Sequence, residues 1–176
     1  MLTPQNLSVH NIIEHSAVNG PGIRFVIWTQ GCPLNCAGCF NQATHTFDGG
    51  TDMSIEKLAT TINHTKGIRG VTFSGGEPLI QSESISKLLS LIDKKLDILL
   101  FSGYSYDEIK VDSSKMNVLH QVDAALLGRY NQCLSHPFYG KKLIMRSNRI
   151  SKDDMKPWIG AEIIINNNSV QFTGLY

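Results

Sequence analysis

Cys32, Cys36 and Cys39 gather three of the chain's four cysteines into eight positions, within "TQGCPLNCAGCFNQATH" (29–45). Their C-x3-C-x2-C spacing follows directly on an apolar run, so the thiols belong to a loop that leaves the end of a strand. Gly31 and Gly38 let the backbone bend closely around a bound object, and Pro33 stiffens the turn. Thiolates suit zinc or an iron–sulfur cluster. Structural zinc takes four ligands, however, and four-iron clusters normally take four cysteines. Three leaves one corner of the metal group open, which is what a cluster needs if it is to coordinate a substrate itself. Two residues could close that corner instead. His45, six residues after Cys39, could complete a Cys3His zinc site. Cys133 lies in a distant, turn-rich stretch, where a lone cysteine reads as a small buried hydrophobe. His10, His15, His64, His120 and His136 form no metal pair at helical spacing.

A second motif, "FSGGEP" (73–78), follows another short apolar run. Gly75 and Gly76 offer bare backbone to whatever sits at the strand's C-terminal end, although paired glycines before a proline also make an ordinary strand-to-helix turn. Beside a cysteine loop at the end of the preceding strand, the two motifs should face the same side of one sheet.

The elements that must position these loops alternate in type. "IRFVIWT" (23–29) reads as a buried strand, "GVTFS" (70–74) as a second, "DILLFS" (97–102) as a third and "DAALLG" (123–128) as a fourth. Ser54 can cap a helix whose apolar stripe is Ile55, Leu58, Ala59 and Ile62. Ser82 can cap another carrying Ile85, Leu88, Leu89 and Ile92. A weaker helical stretch spans Tyr106 to His120. Such alternation predicts an α/β fold with a mainly parallel sheet and its working loops at the strand C-terminal ends. With 176 residues the chain is short of the roughly 250 that a closed eight-fold βα barrel takes, so it could supply only a partial, incomplete barrel. We expect a single domain over 1–176, with a core at about 20–130, a loop-rich lid or docking segment at 130–160 and a C-terminal hairpin at 160–176. That hairpin would join "EIII" to "VQFT" through a turn at "NNN" (166–168).

A formal charge of +1 gives no sign of a nucleic-acid or membrane-surface binder. The charge is uneven, because residues 129–156 hold seven Lys or Arg against two Asp. That segment reads as a solvated face, as a contact for an acidic ligand or as a docking site. No apolar run approaches the ~18 residues of a membrane span, and "MLTPQNLSVHNII" lacks the features of a secretion signal. A cytoplasmic, reducing setting is expected, where clustered thiols serve as ligands or catalysts before disulfides.

C-x3-C-x2-C followed by Gly-Gly-Glu-Pro after the next strand resembles the radical S-adenosylmethionine (SAM) superfamily. "NGPGIRFVIWTQGCPLNCAGCFNQATH" (19–45) resembles in particular the small glycyl-radical-enzyme activases, above all those that activate anaerobic ribonucleotide reductase. Weaker echoes run through "FSGY" (101–104) and "LLGRY" (126–130). The resemblance implies that Cys32, Cys36 and Cys39 hold three irons of one [4Fe-4S] cluster and that SAM chelates the fourth. It places Gly38, Cys39 and Phe40 along the cofactor, and gives Gly75, Gly76 and Glu77 its methionine ammonium. It further implies an oxidoreductase that takes an electron from an external low-potential donor such as flavodoxin or ferredoxin. Hydrogen would then come from a glycine of a partner glycyl-radical enzyme, with no catalytic side chain singled out. One departure stands out: a longer Arg-Gly-Ser-Ser-Asn-Gln stretch of the small activases is here only "MRSNR" (145–149), with Arg146, Ser147 and Asn148 as its counterpart. A stand-alone radical SAM enzyme acting on a peptide or small molecule is the alternative, and a non-catalytic zinc module is a remote one.

Overall fold

The computed structural model describes residues 4–134, 136, 138–155, 160–166 and 169–175. The chain runs β1 (Asn6–Ser16), β2 (Arg24–Thr29), β3 (Thr51–Ser54), α1 (Ile55–His64), β4 (Gly70–Gly75), α2 (Ser82–Leu91), β5 (Asp97–Ser102), α3 (Tyr106–Lys110), α4 (Ser113–Gln121), β6 (Ala124–Leu127), β7 (Lys142–Met145), β8 (Gly160–Asn166) and β9 (Ser169–Leu175). Seven strands form one sheet in the order β3-β1-β2-β4-β5-β6-β7. The expected parallel sheet is its centre, β2-β4-β5-β6, while β1, β3 and β7 add antiparallel flanks. The fold is therefore α/β with a mixed sheet. Among the described residues no helix is long and apolar enough to cross a membrane.

The two apolar stripes do what their spacing requires. Ser54 Oγ accepts the Lys57 N–H at the start of α1, and Ile55, Leu58, Ala59 and Ile62 are all buried. Ile85, Leu88 and Leu89 of α2 are buried in the same cluster, with Ile92 just past the helix end. Ser82 is not the cap of α2, because a 3-10 turn over Pro78–Gln81 runs straight into the helix. Capping occurs one turn earlier, where Glu77 accepts the Leu79 N–H, and Ser82 donates back to the Leu79 carbonyl. The stretch Tyr106 to His120 splits into α3, with a Ser105–Glu108 capping box, and α4, capped by Asp112.

Three strands differ from the sequence reading. β1 shifts register against β2 between Val9 and Asn11 and again between Ile13 and Ser16, which breaks the period-2 pattern that would have revealed it. β3 is a four-residue edge strand. β7 lies inside the stretch expected to be a loop, and its four residues are too few to carry a pattern. β8 and β9 pair antiparallel, while residues 167 and 168 of the expected turn lie outside the described residues.

The four helices contribute to the large cluster on one face of the sheet. On the other face Ile150 and Met155 pack against Leu99 and Ala124, and Ile164 packs against Ile13, Val26 and Trp28. At the N-terminal edge of the parallel strands sits a buried cation. Arg24 donates from Nε to Thr72 Oγ1 (2.7 Å), from Nη2 to Val71 O (2.9 Å), and from Nη1 to Pro21 O (3.1 Å). Its Nη1 lies 2.6 Å from Asp97 Oδ1, so one side chain ties together β2, β4 and β5. Gly20 holds φ +137° with the Arg24 Cδ only 2.5 Å from where a Cβ would stand, which explains a glycine four residues before this arginine. Burial pulls the Arg24 guanidinium down from its ordinary value, and Asp97 opposes that. Asp97 also binds Arg69, whose side chain is partly exposed. Replacing one partner of a buried pair strands the other in a medium of low dielectric. Arg24→Met should therefore lower stability by about 3–5 kcal/mol in urea denaturation, whereas Arg69→Met should cost about 1 kcal/mol or less, since solvent screens that pair.

Candidate active site

β2, β4, β5 and β6 deliver their following loops to the same edge, and the first two loops are bonded to each other. In the β2–β4 register Thr29 faces Gly75. The Gly76 N–H donates to Thr29 O and the Glu77 N–H to Gly31 O, both at 2.9 Å. A Cβ on Gly76 would stand 2.2 Å from the Gly31 carbonyl oxygen, so only glycine allows this approach. Within the cysteine loop, Gly31 N donates to Thr44 O (2.8 Å), Cys32 N to His45 O (3.1 Å) and Cys39 N to Cys36 O (3.2 Å). Gln30, buried beneath, donates from Nε2 to Thr46 O (2.6 Å) and bonds His10 Nδ1 through Oε1 (2.8 Å), closing the loop's two ends together.

Cys32, Cys36 and Cys39 all line a cleft of about 720 Å³ at this edge. Phe40, Gly75, Gly76 and Glu77 line it as well, and Gly38 is the one predicted site residue outside that wall. Gly38 instead lies against Gln132, while Phe40 meets Tyr130 edge to face at 5.3 Å between centroids. The three thiols are unpaired in disulfides, and burial pushes those of Cys32 and Cys39 up. Among the described residues no three His, Cys, Asp or Glu side chains converge on a single metal ion. The three thiols line one cleft, and thiolates are the side chains that hold iron–sulfur clusters. Cys133 is exposed and outside the cleft; His45 lies on its wall.

Glu77 is fully buried, and its carboxylate is held by protein donors. Oε1 accepts the Leu79 N–H (3.0 Å) and the Ser102 hydroxyl (2.8 Å), and Oε2 accepts the Gly103 N–H (2.6 Å). Of about four acceptor positions on a carboxylate, one remains. Burial pushes the Glu77 carboxyl up, and its hydrogen bonds with Leu79, Ser102 and Gly103 counter only part of that. The echoes "FSGY" and "LLGRY" find physical reasons here. Ser102 and Gly103 bind Glu77. Gly128 N donates to Ser102 O (3.0 Å), and Arg129 joins the Gly103 carbonyl to Glu108.

Sequence reasoning missed Lys141, Gln30, Ser102 and Gly103. Lys141 lines the cleft, donates to Gly128 O and is pulled down by burial, with Cys36, Glu77 and Cys39 as the opposing negative groups. Its only signal was membership of the basic 129–156 segment. Three of that segment's described basic residues are committed to separate partners: Arg129 pairs with Glu108, Arg149 pairs with Asp123, and Lys142 lies over the Tyr106 ring. "MRSNR" is not at the cleft: Arg146 N and Ser147 N donate to Asp123 O, at the opposite end of β6.

The raised Glu77 carboxyl has a thermodynamic consequence. A folded state that binds the proton more tightly than the unfolded chain loses stability as pH rises from the ordinary glutamate value, about 4.3, through the higher folded value. The difference in urea midpoint between wild type and Glu77→Gln should therefore shrink as pH rises through that interval, because the variant lacks this term. A difference independent of pH would show that the carboxyl is not raised.

The family described as a 4Fe-4S single cluster domain matches residues 18–148. The anaerobic ribonucleoside-triphosphate reductase-activating protein of Enterobacteria phage T4 is 34% identical over 125 residues, covering 66% of this chain and 77% of that protein. The protein of that name from Escherichia coli K12 is 28% identical over 141 residues, covering 74% of this chain and 90% of its own length. The pyruvate formate-lyase-activating enzyme of Clostridium pasteurianum is 36% identical over 111 residues, covering 57% of this chain and 47% of that enzyme. With its cysteine loop and Gly-Gly-Glu turn bonded together on one cleft wall, the chain belongs to the 4Fe-4S single-cluster family and, within it, to the radical SAM enzymes of the small activase type.

Proposed function

We propose that this enzyme installs a radical on a glycine of a partner protein, an anaerobic ribonucleotide reductase. Cys32, Cys36 and Cys39 would hold three irons of a single [4Fe-4S] cluster, leaving the fourth for SAM. Given one electron by an external donor such as flavodoxin or ferredoxin, such a pair would supply radical chemistry able to take hydrogen from a glycine α-carbon, with SAM reductively cleaved to methionine and a 5′-deoxyadenosyl group. The chain's own residues position and shield. The carbonyls of Gly75 and Gly76, with the remaining acceptor position of Glu77, receive the methionine ammonium. Backbone along Cys39 and Phe40 borders the cofactor, and Gly38 shapes the turn behind it. Lys141 offsets negative charge beside the cysteines, and Trp28, Phe101 and Phe138 give the cleft apolar walls that keep water out.

One arrangement supports this reading above all: three thiols and a Gly-Gly-Glu turn share a cleft wall and are joined by the 2.9 Å bonds from Gly76 and Glu77. We read the sheet as an incomplete βα barrel within a single domain over 1–176, open on one side to a macromolecular substrate, and place the enzyme in the reducing cytoplasm. Protein reconstituted anaerobically with iron, sulfide, reductant and SAM should release 5′-deoxyadenosine. It should also raise a glycyl signal in the electron paramagnetic resonance spectrum of the anaerobic ribonucleotide reductase from the same genome. SAM cleavage that leaves every co-encoded glycyl-radical enzyme without that signal would reject the proposal.

A further inference from the structure

The hairpin of β8 and β9 has its polarity reversed. Its inner face presents Glu162, Ile164, Gln171 and Thr173 to the body of the protein. Glu162 accepts the Ser16 hydroxyl and the Ala17 N–H, both at 2.7 Å, and Thr173 Oγ1 accepts from Asn19 Nδ2 (2.8 Å). Its outer face carries two directly opposed apolar pairs, Ile163 with Phe172 and Ile165 with Val170. These four side chains are 61%, 64%, 75% and 55% exposed. A surface hairpin ordinarily buries its apolar face and solvates its polar one, and an apolar cluster turned to water marks a surface meant to be covered.

What covers it follows from where it lies. Phe172 belongs both to this outer face and to the wall of the cleft. Phe40 and Leu134 also line the cleft while remaining exposed, so Phe172 is one of several apolar side chains shared between the cleft wall and the outer surface. An occupant that covers the outer face therefore reaches the cleft at Phe172. A small substrate would need no contacts outside the cleft, and a second copy of this chain would shut the entrance to a protein substrate. The outer positions carry no charge, so recognition there depends on apolar fit rather than on electrostatic steering. We infer that the outer face of the β8–β9 hairpin is the docking surface for the hydrogen-donating partner protein, which covers it with an apolar patch flanking its glycine-bearing loop. This rests on the activase reading and adds to it a contact away from the chemistry.

The test replaces the one opposed pair that does not line the cleft. Threonine keeps the β-branching that strands favour, so Ile165→Thr/Val170→Thr should leave the hairpin formed and its inner face untouched. The reconstituted protein is titrated anaerobically with the anaerobic ribonucleotide reductase from the same genome, alongside partner-free release of 5′-deoxyadenosine and the mass of the free protein by light scattering. The dissociation constant should rise about tenfold or more, with partner-free release within about twofold of wild type and the mass unchanged. Unchanged affinity overturns this inference alone. So does a free wild-type protein that is dimeric and becomes monomeric on substitution, which would assign the face to self-association. Wild type that cleaves SAM yet forms no complex with the reductase overturns the functional reading and this inference together.

Discussion

Parallel pairing of β2 with β4 sets the position of everything chemical in this chain. In that register Thr29 lies opposite Gly75, so the residues that follow each strand leave the sheet side by side. The ladder then continues for two more bonds beyond the strands, from Gly76 N to Thr29 O and from Glu77 N to Gly31 O. A side chain at Gly76 would collide with the Gly31 carbonyl, so the approach is available to glycine alone. The cysteine loop is thereby fixed at its root by the turn that carries Glu77, and neither loop can shift without the other.

Both edges of the sheet bury a charge, by different means. At the N-terminal edge Arg24 meets Asp97 directly and spends its remaining donors on Thr72, Val71 and Pro21. At the C-terminal edge Glu77 is held by two backbone N–H groups and a hydroxyl, with no cation hydrogen-bonded to it among the described residues. The first solution gives a rigid tie across three strands. The second keeps a carboxyl in a setting where burial outweighs its hydrogen bonds, so that added positive charge is what would stabilise its ionised form. A structural ion pair and a cleft-lining carboxyl are thus separated by the length of the strands.

Legibility in the sequence followed the physical range of each signal. The stripes of α1 and α2 were readable because helix burial repeats within a few residues, and the cysteine loop stood out because its three thiols lie within eight positions. The Ser82 cap failed because Glu77 had already capped the turn before it. β1 was hidden by its two register shifts, and β7 by its brevity inside a polar segment. Glu77 was found, yet its partners Ser102 and Gly103 come from another strand, and no spacing rule connects them. Lys141 was one of seven basic residues until the fold set it against the cleft while Arg129 and Arg149 found acidic partners elsewhere.

Placement of Lys141 bears on how the cleft handles charge. Two of the thiols and the Glu77 carboxyl are pushed toward their neutral forms by burial, so bringing a negatively charged group into this volume is opposed by the same desolvation. Lys141 is a cation beside Cys39, and burial in turn weakens its own hold on the proton. Each group therefore favours the charged form of the other, and occupation of the cleft by an anionic cluster would firm the lysine's charge as the lysine eases the anion's entry. Arg129, whose guanidinium is committed to Glu108 and the Gly103 carbonyl, acts on the Glu77 carboxyl through its charge alone and favours the ionised form. The loop after β6 thus contributes one arginine tied to Glu108 and the Gly103 carbonyl and one lysine that lines the cleft, a division invisible in a count of basic residues.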